Sequence, residues 1–310
     1  MLTRTLPHSD LVVSALCFGC MRLVGPKEAG TGEKEVRARA FRVLEAALEA
    51  GYTFFDHADI YGRTECEAVF GEFLEANPGL RERLVIATKC GIRFADDPEP
   101  GSVHRWDFSH EHIVRSCEGS LARLKVDRID LYQLHRPDYL ANPVEIACAF
   151  QELRDAGKVR YFGVSNFRPS LVAAVQAALD FPLVSNQVEI SLLHRGPLTD
   201  GTLDQCLERK MAPLAWSPVA RGALGEREVS AEDELMAGLQ RGLDAVGRTM
   251  GWERSEVALA WLLAHPARII PIVGTTNPAR IARSVRALEG ALGREDWYRL
   301  LALAEGKKLP

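Results

Sequence analysis

Asp56 closes the apolar run Thr53-Phe54-Phe55, with Tyr61 in the loop after it. Lys89 closes Leu84-Val85-Ile86-Ala87-Thr88, and His135 closes Ile129-Asp130-Leu131-Tyr132-Gln133-Leu134. Brought to one place, these four residue types make a proton donor with an adjustable pKa. A neighbouring ammonium favours tyrosinate and draws the phenol down from about 10. A carboxylate keeps the lysine charged and oriented, and an imidazole can donate to and align a carbonyl oxygen that receives the proton. Taken singly, each residue has a plainer role: a strand-end turn aspartate, a solvated lysine, a packed tyrosine ring, a satisfied core histidine. Their joint occurrence at three consecutive run ends points to a site without showing its reaction.

A second group of residues suits an anion. Val273-Gly274-Thr275-Thr276-Asn277-Pro278-Ala279-Arg280 follows the last apolar run and opens a helical pattern, which offers free backbone N–H groups. With Asn277 as the cap, Arg280 sits in the first turn, where the helix dipole disfavours a cation. A bound phosphate would resolve that conflict, and an exposed arginine that tolerates it is the even alternative. Cys17-Phe18-Gly19-Cys20 is a lone C-x-x-C that ends a run instead of opening a helix and has no second pair at zinc spacing. Asp56-His57-Ala58-Asp59 could supply ligands to a metallohydrolase, but only His135 is well placed to join them, and Tyr61 and Lys89 would have no part. No bound metal is expected.

These residues converge only if the run ends share one face. Eight short apolar runs alternate with longer amphipathic stretches: 15–18, 53–55, 84–88, 129–134, 159–163, 184–187, 213–216 and 269–273. Helical patterns lie between them, such as Val36 to Ala50, Glu111 to Leu124, Val144 to Ala156 and Leu171 to Leu179. Asn142-Pro143 and Asn277-Pro278 are start signals, and Ser230 with Asp233 is a weaker one. Eight strand–helix units in 310 residues predict an α/β fold, a (β/α)8 TIM barrel forming one domain over residues 1–310. Arg4-Thr5-Leu6 and Leu11-Val12-Val13 read as a β-hairpin ahead of the barrel. A doubly wound sheet alternates in the same way, but no Gly-x-Gly-x-x-Gly follows the first run. Three long connections, Gly91 to Ser109, Ile190 to Gly201 and Ser217 to Val229, would lie on the C-terminal face, where such barrels build sites. Trp106 in the first would line a pocket or anchor its loop, while Trp252 and Trp261 read as core.

With 47% apolar and 26% charged residues the chain can bury a substantial core. Its net charge of −4, with both signs interspersed, gives no basic stripe for nucleic acid or an anionic membrane. No apolar run is long enough to span a bilayer, and Met1-Leu2-Thr3-Arg4 does not open a signal peptide. Seven scattered cysteines read as reduced thiols. The expectation is a soluble, cytoplasmic protein with no nucleic-acid or membrane partner.

The motifs resemble those of the aldo-keto reductases. Phe55-Asp56-His57-Ala58-Asp59-Ile60-Tyr61-Gly62 is similar to the family's Asp-x-Ala-x-x-Tyr-Gly signature, Thr88-Lys89-Cys90-Gly91 to its lysine strand end, and Leu134-His135-Arg136-Pro137-Asp138 to its histidine strand end. Gly163-Val164-Ser165-Asn166-Phe167 and Asn186-Gln187-Val188-Glu189 are similar to the nicotinamide-amide segments, and Trp216-Ser217-Pro218 to the stretch that covers the nicotinamide. The likeness runs from about Arg4 to beyond Arg286 and is greatest to the bacterial YdhF-type branch. It implies reduction of aldehydes or ketones by NADPH on a (β/α)8 barrel, with a small carbonyl compound as substrate and a monomer or small homo-oligomer as the assembly.

By that resemblance Tyr61 is the general acid, Lys89 its pKa partner, Asp56 the lysine's counter-ion and His135 the substrate-orienting group. Ser165, Asn166 and Gln187 would hold the carboxamide and Trp216 would stack on the ring. Gly19, Cys20 and Met21 would pass near the nicotinamide ribose, with Asp56 beside them. Ser217, Pro218, Val219 and Arg221 would approach the pyrophosphate, and Gly274, Thr276 and Arg280 the 2′-phosphate. Arg283 and Ser284 stand where many members carry Glu and Asn against adenine. A regulatory or sensor protein of the same fold, binding NADPH with little turnover, is the alternative the resemblance allows.

Overall fold

A computed structural model describes residues 1–25, 32–227, 229–230 and 233–307, so the connection from Ser217 to Val229 is described except for residue 228. The chain enters through the antiparallel hairpin of β1 (Thr3–Thr5) and β2 (Val12–Ser14), with Thr3 opposite Ser14. The eight apolar runs then become β3 (Cys17–Gly19), β4 (Phe54–Asp56), β5 (Val85–Cys90), β8 (Ile129–Leu134), β9 (Val159–Ser165), β10 (Ser185–Glu189), β11 (Ala212–Trp216) and β12 (Ile270–Val273). Between β5 and β8 the long loop carries its own small hairpin, β6 (Ile92–Arg93) with β7 (Arg105–Trp106). The eight strands pair in parallel and in chain order, and β12 returns to β3 to close the barrel. The expected barrel and leading hairpin are therefore present.

Around it lie α1 (Glu33–Glu49), α2 (Glu65–Ala76), α3 (His110–Leu124), α4 (Pro143–Asp155), α5 (Pro169–Ala177), α6 (Thr202–Glu208), α7 (Glu234–Met250), α8 (Arg254–Leu263), α9 (Pro278–Ser284) and α10 (Arg294–Glu305). Val36, Ala40, Val43, Leu44 and Ala47 recur at helical spacing and form the buried face of α1. Asn142 caps α4 by accepting from the Val144 N–H, and Asn277 caps α9 by accepting from the Arg280 N–H. At α7 the cap is Asp233, which accepts from the Met236 N–H, in place of a start at Ser230. Helices α7 and α10 pack together beyond the eight repeats. The rings of Trp261 on α8 and Trp297 on α10 stack at 4.8 Å, and each indole N–H donates to the other residue's carbonyl.

Strand parity decides what enters the lumen, because successive side chains point to opposite faces. On β5, Val85 and Ala87 join the lumen cluster, Lys89 continues that face, and Ile86 faces the helices. Phe54 and Asp56 share the lumen face of β4 while Phe55 packs outward. Below this, Leu6, Leu11 and Val13 from the hairpin meet Cys17, Phe54, Val85, Leu131, Leu214 and Ile270 and floor the barrel.

Helix α2 meets the end of α3 through Gly71, where a Cβ would lie 2.2 Å from the Arg123 carbonyl oxygen. Neither backbone can swing aside as a side chain would, so Gly71→Ala is expected to cost about 1–3 kcal/mol, as overpacking does. Urea unfolding followed by circular dichroism checks this, and an unchanged midpoint would show that the helices can part without loss.

Candidate active site

Lys89 is fully buried at the upper end of the lumen. Its Nζ donates to Asp56 Oδ2 at 2.8 Å, to the His57 carbonyl at 2.5 Å and to Tyr61 Oη at 3.2 Å. Three N–H donors therefore meet three acceptors. Burial works against the ammonium, but Asp56 and Tyr61 more than offset it and hold the Lys89 pKa above that of a free lysine. The other Asp56 oxygen accepts from Gln187 Nε2 at 2.8 Å across the barrel. His135 sits with its ring 5.8 Å from that of Tyr61, edge to face. The four residues expected to act together are brought together.

Tyr61 departs from expectation in its acidity. It lines the cleft and is half-buried, and burial pushes the phenol up to about 12 although Lys89 pulls the other way. Desolvation of the phenolate outweighs the ammonium, so the hydroxyl keeps its proton at neutral pH. Burial also holds the His135 imidazole well below its usual pKa, with the charges of Lys89 and Arg136 acting in the same direction, so the ring is neutral. His57 packs edge-on against Phe70 at 4.5 Å and, buried with neither ring nitrogen bonded among the described residues, is pushed down to about 3. It faces away from the cleft and makes no metal ligand set with Asp56, and no cluster of three or more metal-binding side chains occurs among the described residues.

A cleft of about 1120 Å³ runs from this group to the start of α9. Its walls include Gly19, Met21, Asp56, Tyr61, His135, Ser165, Asn166, Gln187, Trp216, Ser217, Pro218, Val219, Arg221, Gly274, Thr276 and Arg280, all foreseen from sequence. Two others lie elsewhere. Lys89 is behind the wall and reaches the cleft through Tyr61. Cys20, expected near the ribose, is fully buried with its thiol 3.9 Å from the Phe18 carbonyl.

Asn166 organises the middle of the wall. Its Nδ2 donates to the His135 carbonyl at 3.1 Å and to Ser165 Oγ at 2.8 Å, and its Oδ1 accepts from Trp216 Nε1 at 3.0 Å. Asn166, Ser217 and Arg221 all hold left-handed backbone, with φ of 61°, 52° and 55°. Such strain gathers where surrounding bonds over-determine the chain.

Glu226, which no spacing signal marks, accepts from Arg280 Nε at 3.0 Å and also pairs with Arg283. It supplies the anion that Arg280 needs at the helix start, where sequence reading offered a bound phosphate. Arg136, Ile60 and Ile92 also line the cleft. Proximity to His135 at the same strand end is the signal that could have found Arg136. Trp106 is absent from the wall and packs edge-on against Tyr139 at 5.7 Å, which makes it a loop anchor. The connection from Ile190 to Gly201 contributes no wall residue, and its Arg195 is tied to Glu305 of α10 at 2.8 Å.

Residues 15–305 match the sequence model of the Aldo/keto reductase family. The chain is 42% identical over 313 aligned residues to the 6-dehydroglucose reductase of Novosphingobium aromaticivorans, covering 99% of this chain and 97% of that protein. It is 40% identical over 268 residues to the oxidoreductase YdhF of Escherichia coli, covering 86% and 88%, so the resemblance to that branch holds. The aldo-keto reductase AKR11C1 from Bacillus halodurans, in its holo form, superposes with a TM-score of 0.82 at 30% identity over 98% of this chain and 96% of that one. No helix among the described residues is long and apolar enough to cross a membrane.

Asp59, beside this group, has a buried Oδ1 without a partner among the described residues, and burial together with Glu67 raises its carboxyl to about 8. The folded chain holds that proton where the unfolded chain releases it near 3.8. Its stabilising contribution is complete at acid pH and is lost as pH climbs from about 4 to about 8, by about 1.4 kcal/mol per pH unit. Asp59→Asn, which cannot ionise, should gain stability relative to wild type across that window in urea unfolding; parallel pH profiles would mean that Asp59 is charged in the fold.

Proposed function

The chain belongs to the aldo/keto reductase family of carbonyl-reducing oxidoreductases, and from that premise we propose that it is an NADPH-dependent reductase of aldehydes or ketones with Tyr61 as the general acid. The observation that carries this reading is the commitment of all three Lys89 N–H donors. Lys89 donates to Tyr61 Oη and does not accept from it, so the phenolic proton is left for a substrate oxygen in the cleft. The raised phenol pKa supports the same role, since an acid must hold its proton until the oxygen becomes basic. A neutral His135 can carry its proton on Nε2, because Nδ1 is buried without a partner, and donate it to the same oxygen.

The cleft, at about 1120 Å³, has the room and the donor chemistry for a dinucleotide. Bound NADPH would supply the hydride. Ser165, Asn166 and Gln187 would hold the carboxamide and Trp216 would stack on the ring, in positions their mutual bonds already fix. Gly19 and Met21 would lie near the ribose, and Ser217, Pro218, Val219 and Arg221 near the pyrophosphate. Arg280, with Gly274 and Thr276, would hold the 2′-phosphate; its pairing with Glu226 shows that the position accepts an anion. The relative named 6-dehydroglucose reductase makes a polyhydroxylated aldehyde of that kind the first substrate to assay. The reading is completed by a cytoplasmic location, one domain over residues 1–310 and a monomeric or small homo-oligomeric state.

NADPH oxidation should be followed with 6-dehydroglucose and with an activated aromatic aldehyde. Tyr61→Phe is expected to lower kcat by about 100- to 10 000-fold, the scale of a lost proton donor, while NADPH still binds. Unchanged turnover would remove Tyr61 from the role. Arg280→Met should raise the Kd for NADPH by about tenfold or more and leave that for NADH nearly unmoved, and an equal effect on both would argue against 2′-phosphate recognition.

A further inference from the structure

Among the described residues, the cleft cation next to His135 has no counter-charge. Arg136 follows His135 at the end of β8, lines the cleft and lays its guanidinium over the Trp216 ring, with Cζ 5.2 Å from the ring centroid. Among the described residues it has no hydrogen-bond or carboxylate partner. The acids nearby are committed elsewhere: Asp56 to Lys89 and Gln187, Glu226 to Arg280 and Arg283, and Asp138 to the Phe108 and Leu140 N–H groups. Ile60 and Ile92, on the same walls, carry no acceptor in their side chains.

A guanidinium held over an indole ring keeps N–H donors for a partner, and its fork matches two oxygens at once. Arg136 stands between His135, proposed to align the carbonyl oxygen, and Trp216, proposed to cover the nicotinamide. An acceptor pair that reaches it therefore belongs to the substrate. We propose that Arg136 is a specificity-determining residue that selects carbonyl substrates carrying two adjacent acceptor oxygens, either a carboxylate or a vicinal pair of hydroxyls. This rests on the reductase reading of the same cleft and names the substrate class for it. A substrate without such a pair leaves the fork unpaired inside the cleft, which is the arrangement that discriminates most sharply against an analogue lacking a polar group.

Three four-carbon aldehydes separate the possibilities: 4-oxobutanoate bears a carboxylate, erythrose bears hydroxyls, and butanal bears neither. Wild type is expected to favour at least one of the oxygenated pair over butanal in kcat/KM. Arg136→Met should reduce that ratio by about 10- to 100-fold, chiefly through KM, and the ratio cancels any loss common to all three. Arg136→Lys should restore preference for 4-oxobutanoate better than for erythrose, because it returns the charge without the fork. Whichever ratio falls identifies the acceptor. A ratio unchanged in Arg136→Met, or no wild-type preference over butanal, overturns the proposal. Binding of 4-oxobutanoate and of erythrose to the NADP+-loaded protein, read by tryptophan fluorescence, tests it apart from turnover. Tenfold weaker binding of either compound in Arg136→Met supports the proposal, and equal binding of both overturns it. Failure of these three aldehydes, of 6-dehydroglucose and of the aromatic aldehyde to turn over, with that binding difference intact, would defeat the reductase reading and leave Arg136 as a ligand selector.

Discussion

An ammonium with no access to water needs three acceptors, and much of the upper barrel is arranged to provide them for Lys89. Leaving such a charge partly unpaired costs several kcal/mol. The acceptors come from the end of β4 and the loop after it, as Asp56 Oδ2, the His57 carbonyl and Tyr61 Oη. Register makes this meeting possible, since Asp56 pairs with Ala87 and so lies within reach of Lys89 two residues on. Gln187 then reaches across the lumen to the free oxygen of Asp56 and ties β10 to β4. Nearby groups add no competing charge. His57 is neutral and packed on Phe70, and burial holds the proton on Asp59.

The rest of the cleft manages charge in the opposite way, with cations at its surface instead of beneath it. Arg280 and Arg283 share the exposed carboxylate of Glu226, a loop residue, whereas Arg136 is steadied by an aromatic face. Screening weakens the first arrangement far more than a buried pair. Between the two ends, Asn166 holds an unfavourable backbone conformation costing about 1–2 kcal/mol. Its N–H donation to the Gln187 carbonyl at 2.8 Å and its side-chain bonds offset this. The wall that would face the nicotinamide is thus fixed by hydrogen bonds between β8, β9, β10 and β11, and the wall at the adenosine end by ion pairs.

The barrel was legible in the sequence because each strand is a short apolar run with a parity. Once Val85 and Ala87 face the lumen, Lys89 must as well, and the same holds for Phe54 and Asp56. Caps at Asn142 and Asn277 were legible for local reasons, since the side chain bonds its own helix. What escaped depends on distance or on solvent. Glu226 and Arg280 are 54 residues apart and no periodicity links them. The reciprocal Trp261–Trp297 pair joins helices that no strand–helix count requires. Tyr61 was misjudged because residue type gives the ammonium but not the burial of the phenol, and burial decides the sign. Cys20 was placed by a neighbour's resemblance, while its own side chain turns inward.

The leading hairpin separates two kinds of boundary. The match to the family's sequence model begins at residue 15, yet Leu6, Leu11 and Val13 are at most 1% exposed and are packed against six of the eight barrel strands. A fragment trimmed to residues 15–305 would open the underside of the lumen to water and hydrate side chains that lie below Lys89. The floor beneath that ammonium, at the far end of the barrel, thus rests on a plug outside the segment that the family's sequence model matches.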